Sequence, residues 1–405
     1  MNLALHDSTS KRPLVLLLVL VILAGAILRI YPSAHMKALG FDENYYRLYL
    51  SELIAVGVKN YPKITTAYTA AQSEMPNAVI PPTRFLFLTT AYALNRIFGI
   101  EPFVALRDTA CIFASLTLVV TALFVARAAS LEAALGVTAL MACAPLQIQL
   151  AQRVYIDGFF TFWAMLSLWA LWENLRAPNR YGWLLLYALS LALMVLTKEN
   201  AAFIFIALCG IVLLNHWLKF GTVTPRLLAA MVVGPTLGAM TLILLCGGVR
   251  QCIELYLMNV HKSAELSYAI KTGDGPWHRY LIDLVIISPV VMLLAISGLF
   301  QEMKKLSLYL IVFMVISYVV MANIRYGMNL RYAAIWDLPL RWLAFAQLAA
   351  LSVRVGKKYG TYFLVASVLL ICALELRQYV IFFVDHAMYD PVTPAMLQSL
   401  DVLKP

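Results

Sequence analysis

Long apolar runs, each close to the length of a membrane-crossing helix, follow one another along almost the whole chain. A helix needs about 20 apolar residues to cross the hydrocarbon core, whereas a membrane β-strand needs only about 10 residues of alternating character. The pattern therefore predicts an all-α polytopic membrane protein. We expect about eleven crossings, at residues 13–30, 108–127, 131–147, 150–172, 181–197, 201–217, 226–247, 282–301, 306–323, 332–353 and 361–383.

Basic residues between these runs predict the orientation. Lys11 and Arg12 precede the first run, which we interpret as a retained helix with its N-terminus on the inner side. Basic loops recur between alternate later runs, and an odd number of crossings places the C-terminus outside. The apolar run 82–98 cannot cross without turning every later basic loop outward. We therefore interpret it as an interfacial or re-entrant helix.

One integral-membrane domain over residues 1–405 is expected, without a soluble domain or an internal repeat. Two outer segments are long enough to carry function: a first outer loop at 31–107, with interfacial helices, and a second at 248–281. The six cysteines lie mostly in apolar runs and have no metal-ligand spacing, so we expect them to be small core residues.

Composition agrees with a membrane protein and limits the partners. Hydrophobic residues make up 62% of the chain and charged residues 13%, against roughly 25% charged in a soluble domain. The net charge of +10 comes from Lys and Arg scattered at the ends of apolar runs. This distribution favours membrane lipids and phosphates as partners and not nucleic acid. Nothing resembles a Gly-rich nucleotide-binding loop, which disfavours a nucleotide-sugar donor.

The unusual charges fall on the predicted outer side. Asp42 and Glu43 directly follow the first apolar run, and two carboxylates beside a bilayer surface favour chemistry there. The simpler alternative is that they begin a surface helix, because acids stabilise a helix N-terminus. The other charges expected on this side are Arg84, Arg107, Arg153, Asp157, Lys198, Glu199 and Arg331.

Several of these charges also have an ordinary interpretation. Arg153 and Asp157 have the spacing of an ion pair within one helix. Lys198 and Glu199 form a short polar turn, in which a loop charge pair is as good an interpretation as contact with a phosphate. Arg331 begins an apolar run, where an arginine commonly reaches lipid headgroups.

Short motifs of charged, aromatic and proline residues stand near the ends of the apolar runs. They are Arg29, Asp42-Glu43 with Tyr45-Tyr46, Pro81-Pro82, Arg107, Pro145-Leu146 with Gln152-Arg153 and Asp157, Leu196-Thr197-Lys198, Gly275-Pro276-Trp277-His278-Arg279-Tyr280, and Arg331-Tyr332 ahead of Pro339. Their order and spacing resemble the GT-C glycosyltransferases, in the branch of the protein O-mannosyltransferases and lipid A aminoarabinose transferases. The resemblance covers most of the chain.

The resemblance implies a GT-C-type helical bundle and an inverting glycosyltransferase. Such an enzyme moves a sugar from a polyprenyl-phosphate donor, on undecaprenyl or dolichyl phosphate, to a lipid, glycan or protein acceptor at the outer face. An acceptor hydroxyl must lose its proton to a carboxylate as it attacks, and Asp42 corresponds to the family's base. Glu43 and Asp157 are the other catalytic candidates.

The leaving phosphate needs cations to stabilise its charge. A guanidinium can bind two phosphate oxygens at once, so Arg331 is the leading candidate, with Lys198 and Arg279 as further ones. Lone histidines are also ordinary surface residues and tyrosines ordinary membrane-belt residues. The remaining candidates for contact with substrate are Tyr45, Tyr46, Arg84, Arg107, Arg153, His261, Trp277, His278 and Tyr332.

No firm cofactor is predicted. Asp42, Glu43 and Asp157 together offer the oxygen ligands that Mg or Mn prefers, but carboxylates so far apart in sequence do not define a metal site. We expect a bacterial inner membrane, with a cytoplasmic N-terminus and the active site on the periplasmic face. The sugar, the acceptor and the oligomeric state are not predicted.

Other classes of protein share part of this pattern. A transporter or a lipid-linked sugar flippase is the main alternative, but it would favour inverted repeats and charges near mid-span. The charges here cluster at the ends of the runs on one side. A non-catalytic scaffold would explain the apolar bulk but not this clustering. Another polyprenyl-dependent glycosyltransferase or polymerase that acts on a nascent glycan is the nearest competitor.

Overall fold

The computed structural model describes residues 8–31, 40–76, 78–265, 273–324, 328–356, 358–388, 396 and 398. These residues form helices joined by short links and contain no β-strand, which confirms the all-α prediction. The α-helices are α1 (Ser8–Ile30), α2 (Phe41–Val56), α3 (Tyr61–Glu74), α4 (Phe85–Phe98), α5 (Pro102–Ala128), α6 (Leu131–Ala142), α7 (Pro145–Gln152), α8 (Ile156–Arg176), α9 (Tyr181–Val195), α10 (Ala201–Leu218), α11 (Pro225–Cys246), α12 (Val249–Glu265), α13 (Arg279–Ile287), α14 (Pro289–Gly298), α15 (Lys305–Met321), α16 (Asp337–Val355) and α17 (Gly360–Tyr379).

Six helices in the described part of the chain are long and apolar enough to cross a membrane, or eight if each of two bent pairs counts as one span. The bent pairs are α6 with α7, at 59°, and α13 with α14, at 119°. Three further apolar helices, α4, α9 and α15, are shorter. The chain is thus an integral multi-pass membrane protein, but the predicted count of eleven crossings is not confirmed.

Both bends occur where a proline opens the second helix, at Pro145 and Pro289. Proline has no N–H to donate and disfavours helical backbone in the residue before it. The first bend leaves the last carbonyls of α6 without intrahelical donors. Arg29 of α1, which is 1% exposed, donates to the carbonyl oxygens of Met141 and Ala142, at 3.1 Å each. Arg29 therefore fastens α1 to the broken helix.

In the described part of the segment 31–107, the α-helices α2, α3 and α4 share a separate apolar cluster with α5 and α8. In this cluster the Phe87 ring lies 5.4 Å from Tyr46 and 5.5 Å from Phe159, between ring centroids. The position of these helices at the membrane surface stays a prediction. The segment 248–281 contains α12, and residues 266–272 lie outside the described part.

Close contact between α9 and α11 supports the turn that follows α9. A Cβ on Gly234 would lie 2.6 Å from the carbonyl oxygen of Ala188, and one on Gly238 equally close to that of Ala192. Small residues four apart let membrane helices approach in this way. The contact holds the C-terminal half of α9 against α11. Lys198 lies in the turn directly after this end of α9.

Candidate active site

Asp42 lies in the first turn of α2, as the pattern of acids predicted. Its Oδ2 is 3.2 Å from Nη1 of Arg331, and its side chain is 22% exposed. Arg331 lies in a 3-10 helix, Leu330–Trp336, whose first turn is capped by Asn329: the Asn329 Oδ1 accepts the backbone N–H of Arg331 at 3.0 Å. The structure thus brings the leading base and the leading phosphate-binding candidate into contact.

Arg331 also faces a second carboxylate. Its Nη1 lies 3.7 Å from Oδ2 of Asp157, in the first turn of α8. Lys198, in the turn between α9 and α10, donates to the other oxygen, Oδ1, at 2.5 Å. We call Asp42, Asp157, Lys198 and Arg331 the charged cluster. Its two acids and two cations balance in charge, and only Asp42 has more than a tenth of its side chain exposed.

Aromatic rings support both cations of the charged cluster. The guanidinium of Arg331 lies 4.6 Å from the centroid of Tyr155, and Nζ of Lys198 lies 3.8 Å from that of Tyr332. An aromatic face attracts a cation, and more strongly when both are away from water. The predicted substrate contact Tyr332 therefore lies within the site, and it also holds Lys198.

Glu43 has a different environment from its neighbour. Its carboxylate is 2% exposed and accepts from Nε and Nη2 of Arg153 at 3.0 and 2.5 Å. It also accepts the backbone N–H of Val154 at 2.9 Å and that of Gly40 at 2.7 Å. Such a carboxylate is suited to holding α2 against the link between α7 and α8. Its geometry favours a positioning role, while a direct catalytic role stays a prediction.

The alternative of an ion pair between Arg153 and Asp157 within one helix is wrong. Helix α7 ends at Gln152 and α8 begins at Ile156, so the two residues do not share a helix. Arg153 begins the extended link that follows α7, and Asp157 lies beyond this link in the first turn of α8. Arg153 binds Glu43, whereas Asp157 binds Lys198 and Arg331.

Lys198 and Glu199, the predicted polar turn, have different partners. Nη2 of Arg84 donates to Oε1 of Glu199 at 2.8 Å, and Nη1 lies 2.7 Å from Oε2 as an ion pair. The backbones of α4 and of the turn after α9 are also joined, because the Leu86 N–H donates to the Leu196 carbonyl at 2.8 Å. Burial lowers the pKa of Arg84 and the Glu199 carboxylate raises it, and the net shift is upward. Arg84 therefore stays charged and fastens the Lys198 turn to α4.

Tyr45 and Tyr46 lie on α2 beside Asp42. Tyr46 is buried, and burial raises the pKa of its phenol, so it stays neutral. Tyr45 is half-buried and its ring packs 4.9 Å from that of Phe41. Contact of either ring with a sugar stays a prediction.

Two predicted arginines lie apart from the charged cluster. Arg107 is about a third exposed and its nearest acid is its neighbour Asp108, at 3.5 Å. Arg279 is buried, donates to the Asp274 carbonyl at 2.6 Å and lies 3.7 Å from Asp283. In the described part of the chain no hydrogen bond or ion pair joins either arginine to the cluster.

The candidates of the second outer segment are also separate. His261 is exposed on α12. Trp277 is 63% exposed, and its ring meets that of His278 edge to face, 5.4 Å between centroids. These three residues border the undescribed residues 266–272, and their contact with substrate stays a prediction.

Sequence reasoning missed Tyr155 and Asn329, which hold Arg331 in place. Tyr155 looks like any other tyrosine at the end of an apolar run, so only the fold identifies it. Asn329 had a local signal, since an asparagine commonly caps the start of a helical turn.

The described residues contain no group of three or more Asp, Glu, His or Cys side chains arranged to bind a metal ion. Three acids were candidates for Mg or Mn. The carboxylate oxygens of Glu43 already accept hydrogen bonds from Arg153 and from backbone N–H groups. The carboxylate oxygens of Asp157 are already paired with Lys198 and Arg331. A divalent ion prefers carboxylates free to converge on it. These residues do not fit such a site.

Comparisons with known proteins cover almost the whole chain. Residues 82–261 match the dolichyl-phosphate-mannose-protein mannosyltransferase family. No curated protein sequence matches the chain. The fold is similar to that of ArnT from Cupriavidus metallidurans in the apo state, with 12% identity and a TM-score of 0.54 over 98% of this chain and 74% of that one.

The same ArnT bound to undecaprenyl phosphate aligns with 13% identity and a TM-score of 0.57, over 96% of this chain and 78% of that one. The oligosaccharyltransferase of Archaeoglobus fulgidus in the apo form aligns with 15% identity and a TM-score of 0.60, over 93% of this chain. The match covers 56% of the archaeal chain, so this protein spans little more than half its length.

Proposed function

We propose, from the premise that this chain is a GT-C glycosyltransferase, that it transfers a sugar from a polyprenyl-phosphate donor to a lipid, glycan or protein acceptor. The premise rests on the family match and on the shared fold, which confirm the resemblance predicted from the sequence. The carrier is supported by two relatives, one solved with undecaprenyl phosphate and one with a dolichol-phosphate. An archaeal relative solved with a tethered acceptor peptide supports a peptide among the acceptors.

One observation carries the assignment of the chemistry: a partly open carboxylate lies against a buried cation. Asp42 is 22% exposed, whereas Asp157 is 5% exposed and bound to both cations. A general base must come within hydrogen-bond reach of the proton it removes. Asp42 is therefore the acid of the cluster best suited to meet an acceptor hydroxyl.

The proposed step is a direct displacement at the anomeric carbon. The acceptor oxygen bonds to that carbon as its proton passes to Asp42. The bond from the anomeric carbon to the phosphate oxygen breaks, and the polyprenyl phosphate leaves with the electron pair. A single displacement inverts the anomeric configuration.

The leaving phosphate is assigned to Arg331 and Lys198. Both are buried, where a fixed positive charge stabilises a developing anion more than it does in water. Asp157 holds the two cations near each other before any sugar donor arrives. A phosphate bound at Arg331 would share the guanidinium of Arg331 with Asp42. The base would then lie beside the reacting sugar.

We place the site on the outer face of a bacterial inner membrane, with the N-terminus in the cytoplasm. The segments 31–107 and 248–281 would then lie on the side of the charged cluster. Arg279, Arg107, His261, Trp277 and His278 are proposed to border the path of the acceptor or of the lipid carrier.

The test is sugar transfer by the purified protein in lipid nanodiscs. A panel of radiolabelled polyprenyl-phosphate sugars serves as donor, with total membrane lipid and a peptide library as acceptors. We expect Asp42→Asn to lower kcat at least about a hundredfold, as loss of a general base does. Asp385→Asn is the matched control, because Asp385 is exposed and is not part of the charged cluster. It should stay within about twofold of the wild type.

Equal transfer by Asp42→Asn and wild type would reduce Asp42 to an acid that stabilises the start of α2. A wild type that consumes no sugar donor, but moves it across the bilayer of a proteoliposome, would instead establish a flippase.

A further inference from the structure

A cavity of about 930 Å³ opens at the end of the bundle opposite the charged cluster. Helix α8 connects the two places, since Asp157 lies in its first turn and Trp172 and Arg176 line the cavity near its last. The helix has 21 residues, so its ends are about 30 Å apart. The cavity is therefore distinct from the candidate active site.

One side of the cavity favours an anion. It is lined by Arg176, Lys304 and Lys305. Helices α6 and α15 both begin at this wall, and a helix N-terminus adds N–H donors and partial positive charge. Two exposed acids, Glu132 and Glu302, line the rim as well. The three cations and two helix ends outweigh them.

Two residues that line this cavity each carry a buried polar atom without a partner in the described part of the chain. Trp172 is 3% exposed and Gln347 is 6% exposed. Nε1 of Trp172 and Oε1 of Gln347 have no hydrogen-bond partner among the described residues. Leaving a buried donor or acceptor unpaired costs free energy. A ligand with an acceptor oxygen and a hydroxyl donor would satisfy both atoms once the two side chains turn toward the cavity.

The other side of the cavity is apolar and opens onto the outer surface of the bundle. It is formed by Phe345, Ala349 and Val353 of α16 and by Leu364 of α17. Val353 is 79% exposed, so this wall continues onto the outer surface of a helix long and apolar enough to span the membrane. A ligand that fits both sides has an anionic head and hydrocarbon chains, which describes a phospholipid better than a soluble anion.

We propose that this cavity binds the head group of an anionic phospholipid from the leaflet opposite the candidate active site. Phosphatidylglycerol has the required groups. Its phosphate oxygens would lie between Arg176, Lys304 and the two helix ends, with one accepting the Trp172 N–H. A head-group hydroxyl would donate to the Gln347 carbonyl. The proposal does not depend on the sugar-transfer reaction.

The experiment measures lipid binding to the delipidated full-length protein by native mass spectrometry. The probes are phosphatidylglycerol, phosphatidylcholine and inorganic phosphate. We expect one phosphatidylglycerol to bind tightly and the double variant Arg176→Gln, Lys304→Gln to weaken its Kd at least about tenfold. The matched control is Arg180→Gln, Lys358→Gln, which removes two exposed cations that do not line the cavity. It should change the Kd by less than about twofold.

A second variant separates ligand binding from folding. Gln347→Leu removes the unpaired carbonyl, so without lipid its Tm should equal or exceed that of the wild type. With phosphatidylglycerol it should gain less in Tm than the wild type does. Equal losses in the two double variants would overturn the proposal. So would phosphatidylcholine binding as tightly as phosphatidylglycerol, or inorganic phosphate raising Tm as much as the lipid.

Discussion

Two adjacent carboxylates of α2 differ in almost every physical respect. Asp42 is partly exposed and touches one cation of the charged cluster, while Glu43 is buried and accepts four hydrogen bonds. Successive residues of a helix point about 100° apart, so the side chain of Asp42 reaches Arg331 and that of Glu43 reaches Arg153. Asp42 is thus suited to the proposed chemistry, whereas its neighbour Glu43 holds the helices together.

Replacing Glu43 should affect stability before chemistry. In Glu43→Gln the buried guanidinium of Arg153 loses its counter-ion, which costs about 3 kcal/mol or more. Thermal and denaturant unfolding in detergent measures the loss. Glu254→Gln, at an exposed position of α12, should stay within about 0.5 kcal/mol of the wild type. A Glu43→Gln protein that unfolds like the wild type yet cannot transfer sugar would restore Glu43 as a catalytic residue.

Replacing Lys198 should affect the leaving phosphate. Lys198→Met keeps the length of the side chain over Tyr332 and removes its charge. We expect kcat/KM for the sugar donor to fall by about 10²–10³, because a cation that meets developing charge acts mainly in the transition state. The control is Lys59→Met, an exposed lysine. Unchanged kinetics in Lys198→Met would place the phosphate elsewhere, with Arg279 the next candidate.

At the scale of elements, three tyrosines of α2 and α3 hold the segment that leads to α4. This segment, 79–82, contains two prolines, so its backbone is poor in N–H donors but keeps every carbonyl. The phenols supply the missing donors and fix the direction in which Arg84 enters the site. The hydrogen bonds run from Tyr68 to Val79 O at 2.9 Å, from Tyr49 to Ile80 O at 2.7 Å and from Tyr61 to Pro82 O at 2.5 Å.

These tyrosines make stability depend on pH in the alkaline range. Burial raises the pKa of Tyr49, Tyr61 and Tyr68 above that of a free phenol. In the unfolded chain they ionise near pH 10. The folded state therefore holds more protons above that pH, and the free energy of unfolding should be independent of these groups below about pH 10 and fall above it. The slope approaches about 4 kcal/mol per pH unit for three such groups.

Unfolding in detergent between pH 8 and about 11.5 measures this slope. The variant with Tyr49, Tyr61 and Tyr68 all changed to Phe separates them from lysines that titrate in the same range. It should be less stable at neutral pH, because three carbonyls lose their donors. Its alkaline slope should nevertheless be shallower. An equal slope in both proteins would show that the three phenols already ionise in the folded state.

Across the whole molecule, a second ionic network lies among the helices and holds the broken ones together. Arg341 of α16 pairs with Asp337 one turn earlier and binds Glu375 of α17 at 2.6 Å. Ser288, before α14, donates to Glu375 at 2.9 Å, and Gln147 of α7 donates to Asp337 at 2.8 Å. Charges inside a membrane bundle are costly unless paired in this way. The network therefore joins both bent helix pairs to α16 and α17.

Removing the cation of this network should be more harmful than removing the whole network. Arg341→Met leaves two buried acids unpaired and should cost about 3–5 kcal/mol of unfolding free energy. Combining it with Asp337→Asn and Glu375→Gln should recover a large part of that loss. Arg354→Met, at an exposed position of the same helix, serves as the control in the unfolding assay. A triple variant less stable than Arg341→Met alone would contradict this account.

The sequence by itself determined the all-α membrane class and the start of α2 at its acids. These features depend on local properties: apolar length and helix-end electrostatics. It also indicated the GT-C resemblance through motifs at the ends of the runs. It did not predict the bends at Pro145 and Pro289, which lie inside the expected crossings 131–147 and 282–301. It did not determine the number of crossings, because bent and short helices have no single length signature.

Only the tertiary structure decided which charges meet. Asp42 and Arg331 are 289 residues apart, and Asp157 and Lys198 are 41 apart. The sequence spacing left open ion pairs of Arg153 with Asp157 and of Lys198 with Glu199, yet each of these residues has a partner from another segment. Such pairs depend on how helices pack side by side, and that packing is set by side-chain shapes summed over the whole core rather than by any local pattern.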